Sequence, residues 1–339
     1  MVSDAAFVRN LWYMAAWAEE VPENGFLSRT LLGERWLLFR CGDGTWAMLA
    51  DRCPHRFAAL SRGARVGDVV HCGYHGLGFD RTGNCVHNPF GGAPPSARVL
   101  TLPVVERHGG LWFWPGDAER ANAETIPDFA FVEGPEHVRG YLRMEANYEF
   151  IADNLMDLSH AEFIHRESFG TNGSLLERGV HTVQADATGA IWNNWDIADA
   201  VPPDWVRPMV PEGARIDQWL HMRWHAPASM ALHIGVARAG TRRTAMVVPA
   251  MANPHILTPE STASTHYFYT REPGDQAAEM VRRVFEQEDE PMIASVQEGF
   301  AGRDFWEARP LILPSDAGAI RARRRLMQLR RAEAPAAAA

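Results

Sequence analysis

Cys53 and His55 stand two residues apart, and after sixteen intervening residues come Cys72 and His75, three apart. Two segments, Cys53-Pro54-His55 and Cys72-Gly73-Tyr74-His75, therefore each offer one thiolate and one imidazole. A Rieske centre needs that donor set, with two thiolates on one iron of a [2Fe–2S] cluster and two neutral imidazoles on the other. Imidazole carries less negative charge than thiolate, so such a cluster sits at a higher potential than an all-cysteine one and accepts electrons from an ordinary reduced carrier. Gly73 and Gly76 allow backbone amides to come close to the cluster sulfurs. Zn²⁺ also takes two Cys and two His. Against zinc, the Cys and His alternate, the C-x-H pair is tighter than zinc fingers use, and both loops precede β structure. Cys41 and Cys85 are left over as small apolar side chains.

A second group of ligand-type residues lies in Asp153-Asn154-Leu155-Met156-Asp157-Leu158-Ser159-His160-Ala161-Glu162-Phe163-Ile164-His165. On a regular α-helix His160 and His165 would point roughly 140° apart, so a local break is expected between them. Asp157 and His160 are three apart, which lets the carboxylate reach the second imidazole nitrogen. A site of two histidines and one carboxylate needs a third ligand and leaves other positions open for O₂ and water. Glu286, Glu288, Asp289 and Glu290 all offer one, and spacing does not choose among them.

These groups need elements to hold them. Short β segments are predicted at Trp36–Arg40, Thr45–Leu49, Gly78–Phe79, Cys85–Val86 and Leu111–Trp114, with a hairpin across 79–85, making a small all-β domain. The Ala, Glu, Asn and Pro rich stretch to Pro127 looks like an exposed connector, dividing the chain into domains 1–120 and 121–339. The second domain has a predicted helix over Phe150–Phe163, strands between His181 and Tyr269, and an amphipathic segment over Asp275–Gly299, an α+β pattern. Arg321–Arg331 reads as a solvated basic helix before an Ala-rich tail.

Composition sets outer limits. The chain has 339 residues, 46% of them hydrophobic and 22% charged, enough to bury the cores of two domains without disulfides. Four cysteines are too few for a disulfide framework, and 33 basic against 42 acidic residues argue against nucleic acid as a partner. No apolar run is long enough to span a membrane, and a cytoplasmic location is expected. With no G-x-G-x-x-G after a strand, no flavin signature and no cysteines for a second cluster, electrons for a cluster are expected to come through a separate protein.

Taken together, Phe7-Val8-Arg9-Asn10 before Trp12-Tyr13, Cys53-Pro54-His55-Arg56, Cys72-Gly73-Tyr74-His75-Gly76-Leu77, Leu111-Trp112-Phe113-Trp114-Pro115-Gly116-Asp117 and Asp153 to His160 resemble the oxygenase components of Rieske non-haem iron oxygenases. The likeness is to the smaller homotrimeric group that includes the dicamba and vanillate O-demethylases and the toluenesulfonate methyl monooxygenase. It implies an antiparallel β Rieske domain followed by a helix-grip, START-like catalytic domain. It also implies that Cys53, His55, Cys72 and His75 hold the cluster, that His160, His165 and Asp289 hold a mononuclear Fe(II), and that Asn154 lies near that iron. Asp157 would link His160 to the Rieske histidine of a neighbouring subunit. His255-Ile256-Leu257-Thr258-Pro259-Glu260 is most similar to the dicamba enzyme, which implies that His255 contacts a polar group of the substrate; Leu232, with His233 beside it, stands where that enzyme has a polar pocket residue. The activity implied is oxidation of a methoxy or methyl group of a small aromatic acid or phenol with O₂, in partnership with an NADH-dependent reductase and, in some systems, a ferredoxin. The competing activities are ring hydroxylation or dihydroxylation and, outside enzymes, a Rieske electron carrier fused to a ligand-binding domain. A carrier has no need of the second metal site.

Overall fold

The computed structural model describes residues 6–334, which form two compact units. The first comprises residues 6–128 with 258–262 and 333–334; the second comprises 129–257 and 263–332.

Ten short strands build the first unit: β1 Tyr13–Trp17, β2 Leu27–Leu31, β3 Glu34–Arg40, β4 Trp46–Ala50, β5 Ala64–Val66, β6 Val69–His71, β7 Gly78–Phe79, β8 Cys85–His87, β9 Val104–Arg107 and β10 Gly110–Phe113. They pair antiparallel in three sheets, β1-β10-β9, β2-β3-β4 and β5-β6-β7-β8. Leu37, Phe39, Leu49, Val70 and Phe79 from four of these strands share one buried cluster with Cys53 and Cys72. The core thus grips the sulfur side of both ligand loops. The expected hairpin between β7 and β8 forms because the Asp80 carboxylate accepts from the amides of Thr82 and Asn84 at 2.9 and 3.0 Å. Gly83 is obligatory there, with φ +78° and no room for a Cβ, which would stand 2.0 Å from the Val99 carbonyl oxygen.

The stretch after Trp114 is not a free connector. The Trp12 indole donates to the Asn122 carbonyl at 2.8 Å and Arg107 donates to the Ala123 carbonyl at 2.7 Å, so three-residue turns at Ala118–Arg120 and Ala123–Thr125 are fastened to the first unit, which runs on to Asp128.

The second unit is a seven-stranded sheet with helices. Its strands are β11 Val138–Met144, β12 Gly179–Ala185, β13 Ile191–Ala200, β14 Ile216–His225, β15 Ser229–Arg238, β16 Met246–Pro259 and β17 Thr265–Arg271, in the order β11-β17-β16-β15-β14-β13-β12. The helices are α1 Tyr148–Met156, α2 Ser174–Arg178, α3 Asp275–Arg282, α4 Glu290–Phe300, α5 Phe305–Ala308 and α6 Ala317–Glu333. This mixed architecture of helix and antiparallel sheet is the expected fold class.

Two differences from the expected elements matter. The helix predicted over 150–163 ends at Met156, because Asp157 leaves helical geometry with φ −122° and ψ 86°, and a separate 3₁₀ turn covers Leu158–Glu162. The α6 helix is not simply solvated: buried Arg323 pairs with Asp153 at 2.7 Å and Glu149 at 2.9 Å, and Arg330 donates to the Tyr148 hydroxyl at 2.7 Å. Those acids belong to α1, so the basic residues of α6 lock the helix that carries Asn154. Among the described residues, no helix is long and apolar enough to cross a membrane.

Candidate metal centres

The two loops of the first unit share one backbone frame. Cys53 N donates to Ala58 O at 2.9 Å and Phe57 N to Cys53 O at 2.8 Å; Cys72 N donates to Leu77 O at 2.8 Å and Gly76 N to Cys72 O at 2.9 Å. In both, the residue four after the cysteine is left-handed, Phe57 at φ 59° and Gly76 at φ 75°. A non-glycine there costs about 1–2 kcal/mol, which the surrounding loop must offset. The same frame turns both cysteines inward and presents a histidine from each loop, one residue further along in the second. The His55 and His75 rings lie 4.7 Å apart between centroids.

The donor set fits a cluster on two observations. Burial pushes the Cys53 thiol up to about 11, against the pull of the His55 and Arg56 amides, so a thiolate there calls for the positive charge of a metal. Nδ1 of His75 is buried and has no hydrogen-bond partner within the protein, which suits a ligating atom.

In the second unit, His160, His165 and Asp289 bring one ligand atom each to within 4.8 Å of one another. Asp289 Oδ1 is 3.3 Å from His165 Nε2 and 3.8 Å from His160 Nε2. Both Nδ1 atoms face acceptors that cannot donate: the Asp157 carbonyl at 2.5 Å from His160, and the Glu288 carboxylate at 2.7 Å from His165. Each ring therefore carries its proton on Nδ1 and turns a lone pair on Nε2 toward Asp289. Burial, with help from neighbouring His165, holds His160 below the ordinary histidine value, favouring the neutral form a ligand needs. For His165 burial works in the same direction, but Asp289 and Glu288 outweigh it and the net shift is upward. A cation in place of that proton would satisfy the same two acids.

The break expected between the histidines is present, since His160 sits in the 3₁₀ turn and His165 in the turn beyond it. The Asp157 contact differs from expectation. Its carbonyl, not its carboxylate, meets His160; the carboxylate caps the 3₁₀ turn by accepting from Ser159 N at 3.0 Å and Ser159 Oγ at 2.6 Å. The premature end of α1 causes this, by turning the Asp157 peptide toward the ring.

Asp289 is supplied by an unusual helix. Between α3 and α4 the chain is π-helical over Arg283–Asp289, just before Pro291. Proline cannot donate, and its ring would crowd the carbonyl four residues back, so a widened turn before it relieves the conflict.

Register decides the remaining residues. Along β15, Met230 pairs with His255 and Leu232 with Asn253 on β16, so Leu232 shares the His255 face, which is also the face of Asn193 bonded to the Met156 carbonyl of α1. His233 points the other way. It packs on Trp192 and Phe131, at 5.1 and 6.0 Å between centroids, so the expectation that it joins Leu232 and His255 in a pocket is corrected by strand alternation. Among the aromatic and amide residues of this sheet, Trp195 stacks on His181 at 4.5 Å and Asn193 is tied to α1, both as packing.

His255 is buried, its Nδ1 hydrogen-bonded to the Tyr267 hydroxyl, and its Nε2 has no partner within the protein. Phe285 of the π segment stacks on Tyr267 at 5.0 Å and lies 5.9 Å from His255, joining this pair to the helix that bears Asp289. Burial lowers His255 to about 4, so the ring is neutral near pH 7. Tyr267 was not singled out from sequence, and Glu288 was offered only as one of four candidate third ligands, not as the partner of His165 Nδ1.

Comparison with known proteins places the chain in a family. Residues 11–103 match the Rieske [2Fe-2S] domain and residues 144–332 match the vanillate O-demethylase oxygenase C-terminal domain. The oxygenase component of dicamba O-demethylase from Stenotrophomonas maltophilia is 38% identical, over 97% of this chain and 99% of its own. The oxygenase component of chloroacetanilide N-alkylformylase from Rhizorhabdus wittichii is 33% identical, over 94% of each. The crystal structure of dicamba monooxygenase bound to dicamba superposes with a TM-score of 0.84 at 36% identity, covering 96% of this chain and 98% of that one.

Proposed function

The chain belongs to the Rieske oxygenase components that carry the vanillate O-demethylase oxygenase C-terminal domain, and from that premise we propose that it oxidises a methyl or methoxy group of an aromatic acid or phenol. One observation carries this reading: the ligand atoms of His160, His165 and Asp289 converge on the helix whose Phe285 packs against His255, a neutral, buried ring with an unpartnered nitrogen.

Cys53, His55, Cys72 and His75 would hold the [2Fe–2S] cluster, and His160, His165 and Asp289 the mononuclear iron. When bound, these groups store electrons and activate O₂. The chain's own residues do the rest. Tyr267 is held protonated by burial and by the nearby Asp289 charge, so its hydroxyl is able to donate to Nδ1 of His255, and the tautomer proposed is the one in which it does, with an N–H on Nε2. That N–H binds an acceptor on the substrate, a carboxylate or phenolic oxygen. Leu232, Met222 and Met230 supply apolar surface on the same sheet face for a flat ring. Overall, two electrons, two protons and O₂ place one oxygen atom in a C–H bond and release the other as water. A methoxy group becomes a hemiacetal, which collapses to the phenol and formaldehyde.

The electrons come from a separate NADH-dependent reductase, directly or through a ferredoxin. The working assembly is a homotrimer in which Asp157, whose carbonyl holds His160 and whose carboxylate caps the turn through Ser159, stands between His160 and the cluster-bearing loop of a neighbouring copy.

The test is to supply the protein with reductase and NADH and offer methoxylated and methylated benzoates and phenols, measuring formaldehyde and hydroxylated product under ¹⁸O₂. One labelled oxygen in the oxidised alkyl group is expected. A ring cis-diol carrying two labels overturns the monooxygenase reading.

A further inference from the structure

Glu288 and Asp289 are consecutive, yet they serve opposite sides of one imidazole. Asp289 faces Nε2 of His165 at 3.3 Å, whereas Glu288 Oε2 accepts from Nδ1 of the same ring at 2.7 Å. The Glu288 carboxylate is itself held from two directions. Ser168 Oγ donates to Oε2 at 2.9 Å and Arg283 Nε donates to Oε1 at 2.7 Å. Arg283 and Glu288 are five residues apart. In an α-helix they would point roughly 140° away from each other; the i→i+5 spacing of the π segment over Arg283–Asp289 brings them onto one face. His160 has no such partner, its Nδ1 meeting only the neutral Asp157 carbonyl.

We propose that Glu288 is a positioning residue for the metal centre: braced by Arg283 and Ser168, its carboxylate orients His165 and makes that ring a stronger donor to a divalent cation than His160. This rests on His160, His165 and Asp289 being the iron ligands. The physical basis is that an imidazole whose outer N–H points at a carboxylate is fixed in tautomer and orientation and gains basicity at its inner nitrogen, more than one facing a carbonyl. The widened helical turn then has a purpose, since it presents one acid to the metal and the next to the metal's ligand.

The experiment compares Glu288→Gln, Glu288→Ala and Arg283→Met with the parent, all carrying the cluster. Anaerobic Fe(II) affinity is read by competition with a chromophoric chelator, with the cluster's visible spectrum and thermal midpoint followed in parallel. Glu288→Gln keeps the shape and one acceptor oxygen but removes the charge, so a packing role alone would be rescued by it. Expected is Fe(II) affinity falling ~10- to 100-fold in Glu288→Ala, by a smaller factor in Glu288→Gln and least in Arg283→Met, with an unchanged cluster spectrum. Parental affinity in Glu288→Gln overturns the proposal. A His165→Ala control separates the two levels: if it loses Fe(II) while Glu288→Gln does not, only this proposal fails; if it keeps Fe(II), the ligand assignment fails with it.

Discussion

Asn154 Nδ2 donates to Oδ1 of Asp289 at 3.0 Å, across 135 residues of sequence, and that oxygen is the one facing Nε2 of both His160 and His165. An amide from α1 therefore fixes the carboxylate of the π segment, while the ion pairs of Arg323 with Asp153 and Glu149 fix α1 itself. Asn154→Ala should let Asp289 rotate and weaken mononuclear iron binding about 10-fold or more, leaving the cluster spectrum intact. Iron stoichiometry after chelator dialysis checks this; full retention of iron would remove Asn154 from the site.

Asp157→Asn is an unusually clean substitution here. The carboxylate caps the 3₁₀ turn through Ser159, and asparagine caps equally well, while the carbonyl that holds His160 is untouched. The variant should keep its fold and both metals, yet turn over at least tenfold more slowly if the charge carries the link between subunits. Single-turnover reduction and oxidation of the cluster would locate the loss; turnover near the parental rate removes the bridging role.

What the sequence discloses depends on how local each feature is. The proposed cluster ligands lie in two six-residue loops, so C-x-H and C-x-x-H were legible directly, although the left-handed Phe57 that makes the loops equivalent was not. His160 and His165 were visible as a pair. The proposal of Asp289 over Glu286, Glu288 and Glu290 required family resemblance, because the π-helical register and the Asn154 contact that place its carboxylate beside the two histidines join parts of the chain far apart in sequence. His233 was misplaced because adjacency in sequence means opposite faces in a strand. Arg323 looked solvated because its buried acidic partners come from another helix.

The tautomer of His255 gives a substrate-binding prediction. Tyr267→Phe removes the donor to Nδ1, and with it the preference for an N–H on Nε2. Both Tyr267→Phe and His255→Ala should raise KM for the aromatic acid several-fold without loss of iron or cluster, and the double variant should be little worse than His255→Ala. Because burial lowers His255 to about 4, KM should show no histidine-like inflection between pH 5.5 and 8. Additive effects in the double variant would show that the two residues act separately.

A stability prediction follows from two histidines away from the metals. Burial, then the Arg223 charge, lowers both His225 and His233 to about 4; His221 adds to the effect on His233, and Asp186 opposes it weakly at His225. Their ordinary value is near 6.5, so between about pH 4 and 6.5 the unfolded chain takes up protons that the folded chain refuses. Stability is then fully present above about pH 6.5 and falls as the pH drops toward 4. Both rings are partly exposed, and after allowance for solvent screening each contributes on the order of 1 kcal/mol, or a few degrees in thermal midpoint for a unit of this size. Carboxylates contribute to the same slope, so the comparison is between parent and variant. His225→Gln/His233→Gln should lose a few degrees less than the parent between pH 7.5 and 5. If the two proteins lose the same amount, these histidines are not held neutral by the fold.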